Sequence, residues 1–323
     1  PIDVWDEMMR LTLAIVAKTL FSADVEGDAH EIGDALKGVI KIFERVAHPL
    51  AGLSLMLPTP RTIRIRLARR RIERTINRII TERRASGEDC RDLLSMLLRA
   101  QDEDDGGVMN DKQVRDEAIT LFLAGHETTA NALTWTWYLL AQNPEVERKF
   151  HAEINSVLRG KLPTPDDLPK LEYTRRVFAE GMRLYPPGYL IGRTAINDSP
   201  LDGHKIPRGS LVLLCPFVTH RNAEYFPDPT KFDPDRWTPE QQRDRHKFAY
   251  YPFGSGPRTC IGEPFAWMEG VFLMAAIAQR WAFEIEPDHP VEYDPQVTLR
   301  PKHGMTMRLR RRAVAQAEQA VNK

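Results

Sequence analysis

Cys260 is one of three cysteines in a chain of 323 residues, and its neighbours suit a sulfur that holds a metal. It lies in the run Phe253-Gly254-Ser255-Gly256-Pro257-Arg258-Thr259-Cys260-Ile261-Gly262. Glycine tolerates backbone angles closed to other residues, so Phe253 to Gly256 can form a tight loop that approaches a partner closely. Phe265, Ala266, Met268, Phe272, Leu273 and Ala276 recur at helical spacing, which places Cys260 at the start of a helix. Unpaired N–H groups and the partial positive charge of a helix N-terminus favour thiolate over thiol. A thiolate on a rigid loop is a good axial ligand for haem iron, and its electron donation favours cleavage of an O–O bond. An isolated cysteine is otherwise usually a buried core residue, so the assignment depends on the surrounding residues.

A second cluster, Ala124-Gly125-His126-Glu127-Thr128-Thr129, falls near the middle of a helical pattern from Asn110 to Gln142. At 1.5 Å per residue that helix is about 50 Å long, enough to cross a domain. A mid-helix glycine costs about 1 kcal/mol relative to alanine, and paired threonines are stiff at χ1. Thr128 and Thr129 stand four residues after Ala124 and Gly125, so either hydroxyl can compete for an i−4 carbonyl and bend the helix. Such a groove, with a carboxylate and a hydroxyl, could hold a diatomic molecule and a water. The plainer reading is that Gly125 serves helix packing, with Thr128 buried and satisfied. His126 reads as structural.

Glu180 and Arg183 share a helix face. The same spacing recurs at Glu7/Arg10, Glu88/Arg91, Glu145/Arg148, Glu172/Arg175 and Glu240/Arg243, and exposed pairs of this kind contribute under about 1 kcal/mol. Context separates Glu180: Leu184-Tyr185-Pro186-Pro187 follows it, and Phe232-Asp233-Pro234-Asp235-Arg236-Trp237 comes later.

The elements that must position these residues are mainly helical. Apolar periodicity predicts helices over Asp3–Phe21, Ile32–Ala47, Arg61–Arg84, Pro144–Arg159 and Lys170–Leu184. The third carries a stripe of Ile63, Leu67, Ile72, Ile76, Ile79 and Ile80 opposite Arg64, Arg66, Arg69, Arg70, Arg71 and Arg74. No aromatic residues interleave those arginines, so they read as a solvated face and not as a nucleic-acid site. Asp102 to Gly107 reads as an acidic surface loop. Beyond Pro186, short strands are predicted at Tyr189–Ala195 and Leu211–Leu214, with an irregular stretch from Phe226 to Arg245. Phe283–Glu286, Val297–Arg300 and Met305–Arg310 read as strands of one small sheet, and Arg308 to Arg312 as an exposed basic end. The fold class is therefore mainly α with a small β region.

Lysine plus arginine and aspartate plus glutamate each number 45, so charge gives no argument for a nucleic-acid partner. Cys90, Cys215 and Cys260 are too scattered for a disulfide framework or a zinc site, which fits a reducing, cytoplasmic setting. No apolar run reaches the roughly 20 residues that cross a bilayer, and Pro1 to Arg10 reads as an amphipathic helix and not a signal peptide.

Together these motifs resemble the cytochrome P450 family. The cysteine run matches its haem-binding signature, Phe-x-x-Gly-x-Arg-x-Cys-x-Gly, at every specified position, and Ala124 to Thr129 is similar to its oxygen-activation motif. The resemblance implies one partial cytochrome P450 domain over residues 1–323 and haem b (iron protoporphyrin IX) as cofactor, with Cys260 as the iron ligand and Phe253 in the haem-binding loop. It further implies that Glu127 and Thr128 are the acid–alcohol pair delivering protons to dioxygen, that Ala124 and Gly125 line the distal face, and that Arg193 and Arg258 contact the propionates. By the same resemblance, Glu180, Arg183 and Arg236 form a buried ion network supporting the cysteine loop, with Trp237 where Phe is commoner. Gly188 to Ile191 and Val297 would face the substrate.

The implied activity is insertion of one atom of O2 into a lipophilic small molecule, a fatty acid being the first expectation. Electrons would come from a separate ferredoxin or flavodoxin-type donor with its reductase, since neither Gly-x-Gly-x-x-Gly nor a cluster of four cysteines is present. Two other readings stay open: a fold that uses peroxide or rearranges an oxygenated lipid, and a thiolate-haem gas sensor. Glu127-Thr128 weighs against the first, because proton delivery is needed chiefly to reduce and split O2. The pattern departs from the family at its start, where the family's N-terminal helices and first sheet strands, among them a propionate-binding helix, have no counterpart. This predicts an exposed sheet edge, poor haem retention and no turnover by residues 1–323 alone, and it leaves a membrane anchor in a longer parent chain open.

Overall fold

The structure is a computed structural model describing residues 1–22, 59–101 and 106–312. The predicted helix Ile32–Ala47 and most of the acidic loop lie outside the described residues. Two compact units emerge: one is Trp5–Ala130, and the other joins Pro1–Val4 to Asn131–Lys323.

β1 (Ile2–Asp3), a strand of the second unit, leads into α1 (Val4–Phe21), which opens the first from Trp5 onward. Met8, Met9, Leu13, Val16 and Ala17 form the buried face of α1, and Asp6 and Glu7 in its first turn suit the helix dipole. α2 (Pro60–Ser86) starts where the Thr59 hydroxyl accepts the Thr62 N–H and ends at Gly87, left-handed at φ 62°. Its stripe is shorter than expected. Ile72, Ile76 and Ile80 are buried, while Ile63 and Leu67 are 46% and 48% exposed. From Ile63 to Ile72 is two and a half turns at 3.6 residues per turn, so the two groups face opposite ways. Arg66, Arg70 and Arg74 are exposed, as a solvated face requires.

α3 (Leu93–Arg99) was not anticipated. Its N-cap, Asp92, accepts the Ser95 N–H and a two-pronged bond from Arg83 at 2.8 Å on each oxygen. Burial works to raise the Asp92 carboxyl, but the bonds from Arg83 and Ser95 outweigh it and hold the group below the usual carboxylate range. α4 (Asp111–Gln142) runs unbroken as the sequence predicts, opened by reciprocal bonds between Asn110 and Gln113.

In the second unit, α4 continues beside α5 (Pro144–Leu158), α6 (Glu172–Leu184) and α7 (Glu263–Ala278). α6 begins at Glu172 and not Lys170, because Pro165–Lys170 forms a separate 3₁₀ turn with Pro169 inside it. Gly181 and Gly270 set how closely these helices approach. A Cβ on Gly181 would collide with the Thr136 hydroxyl, and one on Gly270 would fall within the Phe178 ring. Gly270→Ala is expected to destabilise the fold by about 1–3 kcal/mol through overpacking, read as a lower urea midpoint at unchanged m-value.

β2 (Ile191–Thr194) pairs antiparallel with β5 (Leu211–Leu214), and β3 (Ser199–Leu201) with β4 (His204–Ile206). The second hairpin turns on Asp202-Gly203, both at positive φ, a dipeptide signal legible in the sequence but not used. The C-terminal strands do not form one sheet. β6 (Trp281–Ile285) and β9 (Thr306–Arg311) join β1 in the order β1-β9-β6, whereas β7 (Tyr293–Pro295) pairs, among the described residues, with β8 (Leu299–Pro301) alone. The basic end is thus the middle strand of a sheet. Arg308 and Arg310 reach Glu286 and Glu284 on or beside β6, and Arg312 bonds to the Ala278 carbonyl. Among the described residues, no helix is long and apolar enough to cross a membrane.

Candidate active site

The cysteine loop closes on itself. The Cys260 N–H donates to the Phe253 carbonyl at 2.9 Å, and the Gly254 N–H to that of Tyr251 at 3.0 Å. Gly254 and Gly256 take φ of 74° and 72°, so both positions need glycine. Residues 255–261 are all exposed, the Cys260 thiol among them, and Ile261 is 86% exposed. The helix begins later than expected: Gly262 is the N-cap of α7, and Cys260 precedes the first turn, its carbonyl accepting the Glu263 N–H at 3.4 Å. Phe253 rests against Trp267, ring centroids 5.9 Å apart.

Behind the loop lies the buried ion network of Glu180, Arg183 and Arg236 that the resemblance implies. Arg183 binds Glu180 through two parallel bonds of 2.8 Å, and both side chains are fully buried. Its remaining N–H groups donate to the carbonyls of His220, Pro229 and Lys231. Arg236 approaches Glu180 only to 3.4 Å, as an ion pair, and donates instead to the Asp228 carbonyl at 2.8 Å. The other donors to Glu180 are the Trp237 indole N–H at 2.9 Å and the Asp233 N–H at 3.0 Å. Tryptophan at this position supplies a hydrogen bond that phenylalanine cannot make, a role missed in the sequence although the residue was visible. The network reaches the loop by two routes. Tyr250 packs on Trp237 at 4.4 Å and donates to the Ala179 carbonyl at 3.0 Å. The His220 ring nitrogen Nε2 accepts the Tyr251 N–H at 3.0 Å. Burial, with the charge of Arg183, pushes His220 down to about 3, so it serves as a neutral acceptor.

Three expected contributors converge beside the loop in this unit. Gly254 faces Ile191, and Gly188 lies against the Pro252 carbonyl. The Tyr189 hydroxyl donates to the Gln296 carbonyl at 2.8 Å, and the Leu299 N–H to that of Pro187 at 3.0 Å. The segments 188–191 and 296–299 are therefore neighbours, with Leu190 43% and Val297 46% exposed. Arg193, two residues beyond Ile191 on β2, shares its face. Arg193 and Arg258 are exposed, and among the described residues neither pairs with a carboxylate.

In the other unit, the Ala124–Thr129 turns keep α-helical form. Thr128 Oγ1 donates to the Ala124 carbonyl at 2.8 Å and Thr129 Oγ1 to that of Gly125 at 3.3 Å, so both hydroxyls make the i−4 bond. Glu127 is 4% exposed, whereas Ala124 is exposed. A Cβ on Gly125 would stand 3.0 Å from Val16 Cγ2, so its bare side is turned to α1, as the packing reading holds. His126 is fully buried with Nδ1 3.0 Å from the Phe122 carbonyl. Burial pushes it down to about 4, leaving it neutral and structural.

Comparison with known proteins agrees with this architecture. The family model described as Cytochrome P450 matches residues 1–307. The chain is 43% identical over 301 residues to cyclooctatin synthase of Streptomyces melanosporofaciens, covering 93% of this chain and 66% of that protein. It is 40% identical to cyclooctat-9-en-7-ol 5-monooxygenase of the same organism, over 88% of this chain and 62% of the relative. It is 36% identical to pentalenene oxygenase of Streptomyces avermitilis, over 96% and 68%. Among solved structures, the cytochrome P450DA heme domain superposes with a TM-score of 0.87 at 29% identity, over 97% of this chain and 68% of that one. The chain belongs to the cytochrome P450 family. It spans about two thirds or less of the first two curated relatives, 66% and 62% of their lengths.

Proposed function

We propose that the chain carries the catalytic part of a haem-thiolate monooxygenase, both units belonging to one cytochrome P450 domain. The observation that carries this reading is the exposed Cys260 thiol on a loop anchored from behind by the buried Glu180–Arg183 network. The residues present fit a haem: one accessible thiol, exposed apolar surface at Ile261, Leu190 and Val297, and two arginines that pair with no carboxylate among the described residues. Cys260 would ligate the iron, Phe253 would flank it, and Arg193 and Arg258 would hold the propionates. When bound, the haem supplies the oxidation itself. The overall change puts one oxygen atom into a C–H bond and releases the other as water, consuming two electrons and two protons.

The protein's own share is proton handling and substrate placement. Glu127 and Thr128 pass protons toward the oxygen, and Ala124 borders that space, whereas Gly125, whose bare side meets Val16, serves the packing of α1 on α4. A ferredoxin or flavodoxin-type protein with its reductase would supply electrons. The substrate is lipophilic. The compounds in the relatives' names, cyclooctat-9-en-7-ol and pentalenene, are better first probes than the fatty acid expected from the motifs.

General acid–base groups contribute about 10²–10⁴-fold, so Thr128→Ala should lower product per electron consumed at least about tenfold, the electrons appearing in hydrogen peroxide. The measurement, on the full-length parent protein, is NADH consumed against product and peroxide formed, with surrogate ferredoxin and reductase and cyclooctat-9-en-7-ol, pentalenene or lauric acid as probe. Unchanged O2-supported coupling would remove Thr128 from the mechanism and favour the peroxide-using alternative.

A further inference from the structure

Four carbonyls in the central turns of α4 accept a side-chain donor. Those of Phe122, Ala124 and Gly125 take theirs from His126, Thr128 and Thr129 of the same helix. The fourth, His126, takes its donor from α1: Thr12 Oγ1 lies 3.0 Å from the His126 oxygen. Thr12 is fully buried, and its hydroxyl also lies 2.9 Å from the Met8 carbonyl and 3.4 Å from that of Met9. A hydroxyl has one proton to donate. The Met8 bond alone would satisfy an ordinary helix threonine, so the reach to a carbonyl 114 residues away is additional.

One turn further along α1, on the same face, Val16 fills the space beside Gly125. Together the two side chains grip the Gly125–His126 segment: Val16 sets how closely it approaches, and Thr12 holds its carbonyl. The peptide unit is planar, so the His126 C=O and the Glu127 N–H rotate together. Turning the His126 carbonyl toward α1 therefore turns the backbone that bears Glu127 and Thr128.

We propose that Thr12 is a positioning residue for proton delivery, its hydroxyl setting the orientation of the Glu127–Thr128 turn through the His126 carbonyl. This rests on the monooxygenase reading above. Thr12 touches no reacting atom; it acts through α4.

The test compares Thr12→Val, which keeps the side-chain shape without the hydroxyl, Thr12→Ser, which restores the hydroxyl, and Thr128→Ala, all in the haem-loaded holoenzyme. Two readouts are used. One is the infrared stretch of CO on the dithionite-reduced protein. The other is the share of O2 released as peroxide during NADH oxidation without substrate, where peroxide takes two electrons per O2 and water takes four. Losing a net hydrogen bond of about 1 kcal/mol corresponds to a change of about fivefold. Thr12→Val is expected to raise the peroxide-to-water ratio by that factor and to shift or broaden the CO band, with Thr12→Ser close to wild type in both. A merely structural threonine would lower thermal stability and leave both readouts unmoved. If Thr128→Ala changes them and Thr12→Val does not, the role of Thr12 is overturned while the monooxygenase reading stands. If Thr128→Ala changes neither, that reading of Thr128 fails, and the role of Thr12 with it. Should Thr12→Val fail to retain haem, Thr12→Ala replaces it under the same criteria.

Discussion

In the full-length parent protein, Cys260→Ala is expected to abolish the red-shifted Soret band that marks a thiolate-ligated, CO-bound haem in the reduced state, and with it O2-dependent turnover. The effect should be close to total. Thiolate donation is what favours O–O cleavage in such haems, and among the described residues no group of three or more His, Cys, Asp or Glu side chains forms an alternative metal site. Cys90 and Cys215 are half-buried, and the Cys215 thiol is engaged with the Tyr189 carbonyl at 3.4 Å. The substitution should barely affect folding. The sulfur is exposed, and the bond that closes the loop runs from the Cys260 backbone N–H to Phe253. Circular dichroism should therefore match wild type. A red-shifted band surviving in Cys260→Ala would refute the ligand assignment.

Glu180→Ala should be the most destabilising of the substitutions considered, by about 3–5 kcal/mol, because it strands a buried guanidinium. Arg183 would keep its three carbonyl acceptors but lose both charge-assisted bonds. Trp237→Phe isolates the indole contribution. Removing that single hydrogen bond to a charged group should lower stability by about 1.5–3 kcal/mol while leaving the Glu180–Arg183 pair intact. Both are measured by urea unfolding of the haem-loaded protein at several haem concentrations. Since the network reaches the cysteine loop through Tyr250 and His220, haem affinity should fall together with stability. A Glu180→Ala protein of wild-type stability would mean that the buried pair contributes nothing net to the fold.

The sequence alone offered the candidate site residues and most of the described helices. The cysteine signature, the Glu127-Thr128 pair and the Glu180–Arg183 spacing are local patterns, and α1, α4, α5 and α6 follow from apolar periodicity, which reports on one helix face at a time. Where periodicity slipped by one residue between Leu67 and Ile72, the expected stripe of α2 rotated out of the core. α3 and the Asp202-Gly203 hairpin are short, and local signals for them were present but faint beside the longer patterns. Tertiary structure alone decided the rest. Glu-x-x-Arg recurs along the chain, and although its flanking residues singled out Glu180, the full burial of the Glu180–Arg183 pair was decided by tertiary structure, because spacing carries no information about solvent. Strand partners were equally out of reach. β9 became a central strand because Ile2–Asp3 and Trp281–Ile285 pair on either side of it, and pairing with a strand from the other end of the chain leaves no mark on a local window. Thr12 belongs to the same class: its contact with the His126 carbonyl exists only because two helices far apart in sequence pack where a glycine lets them approach.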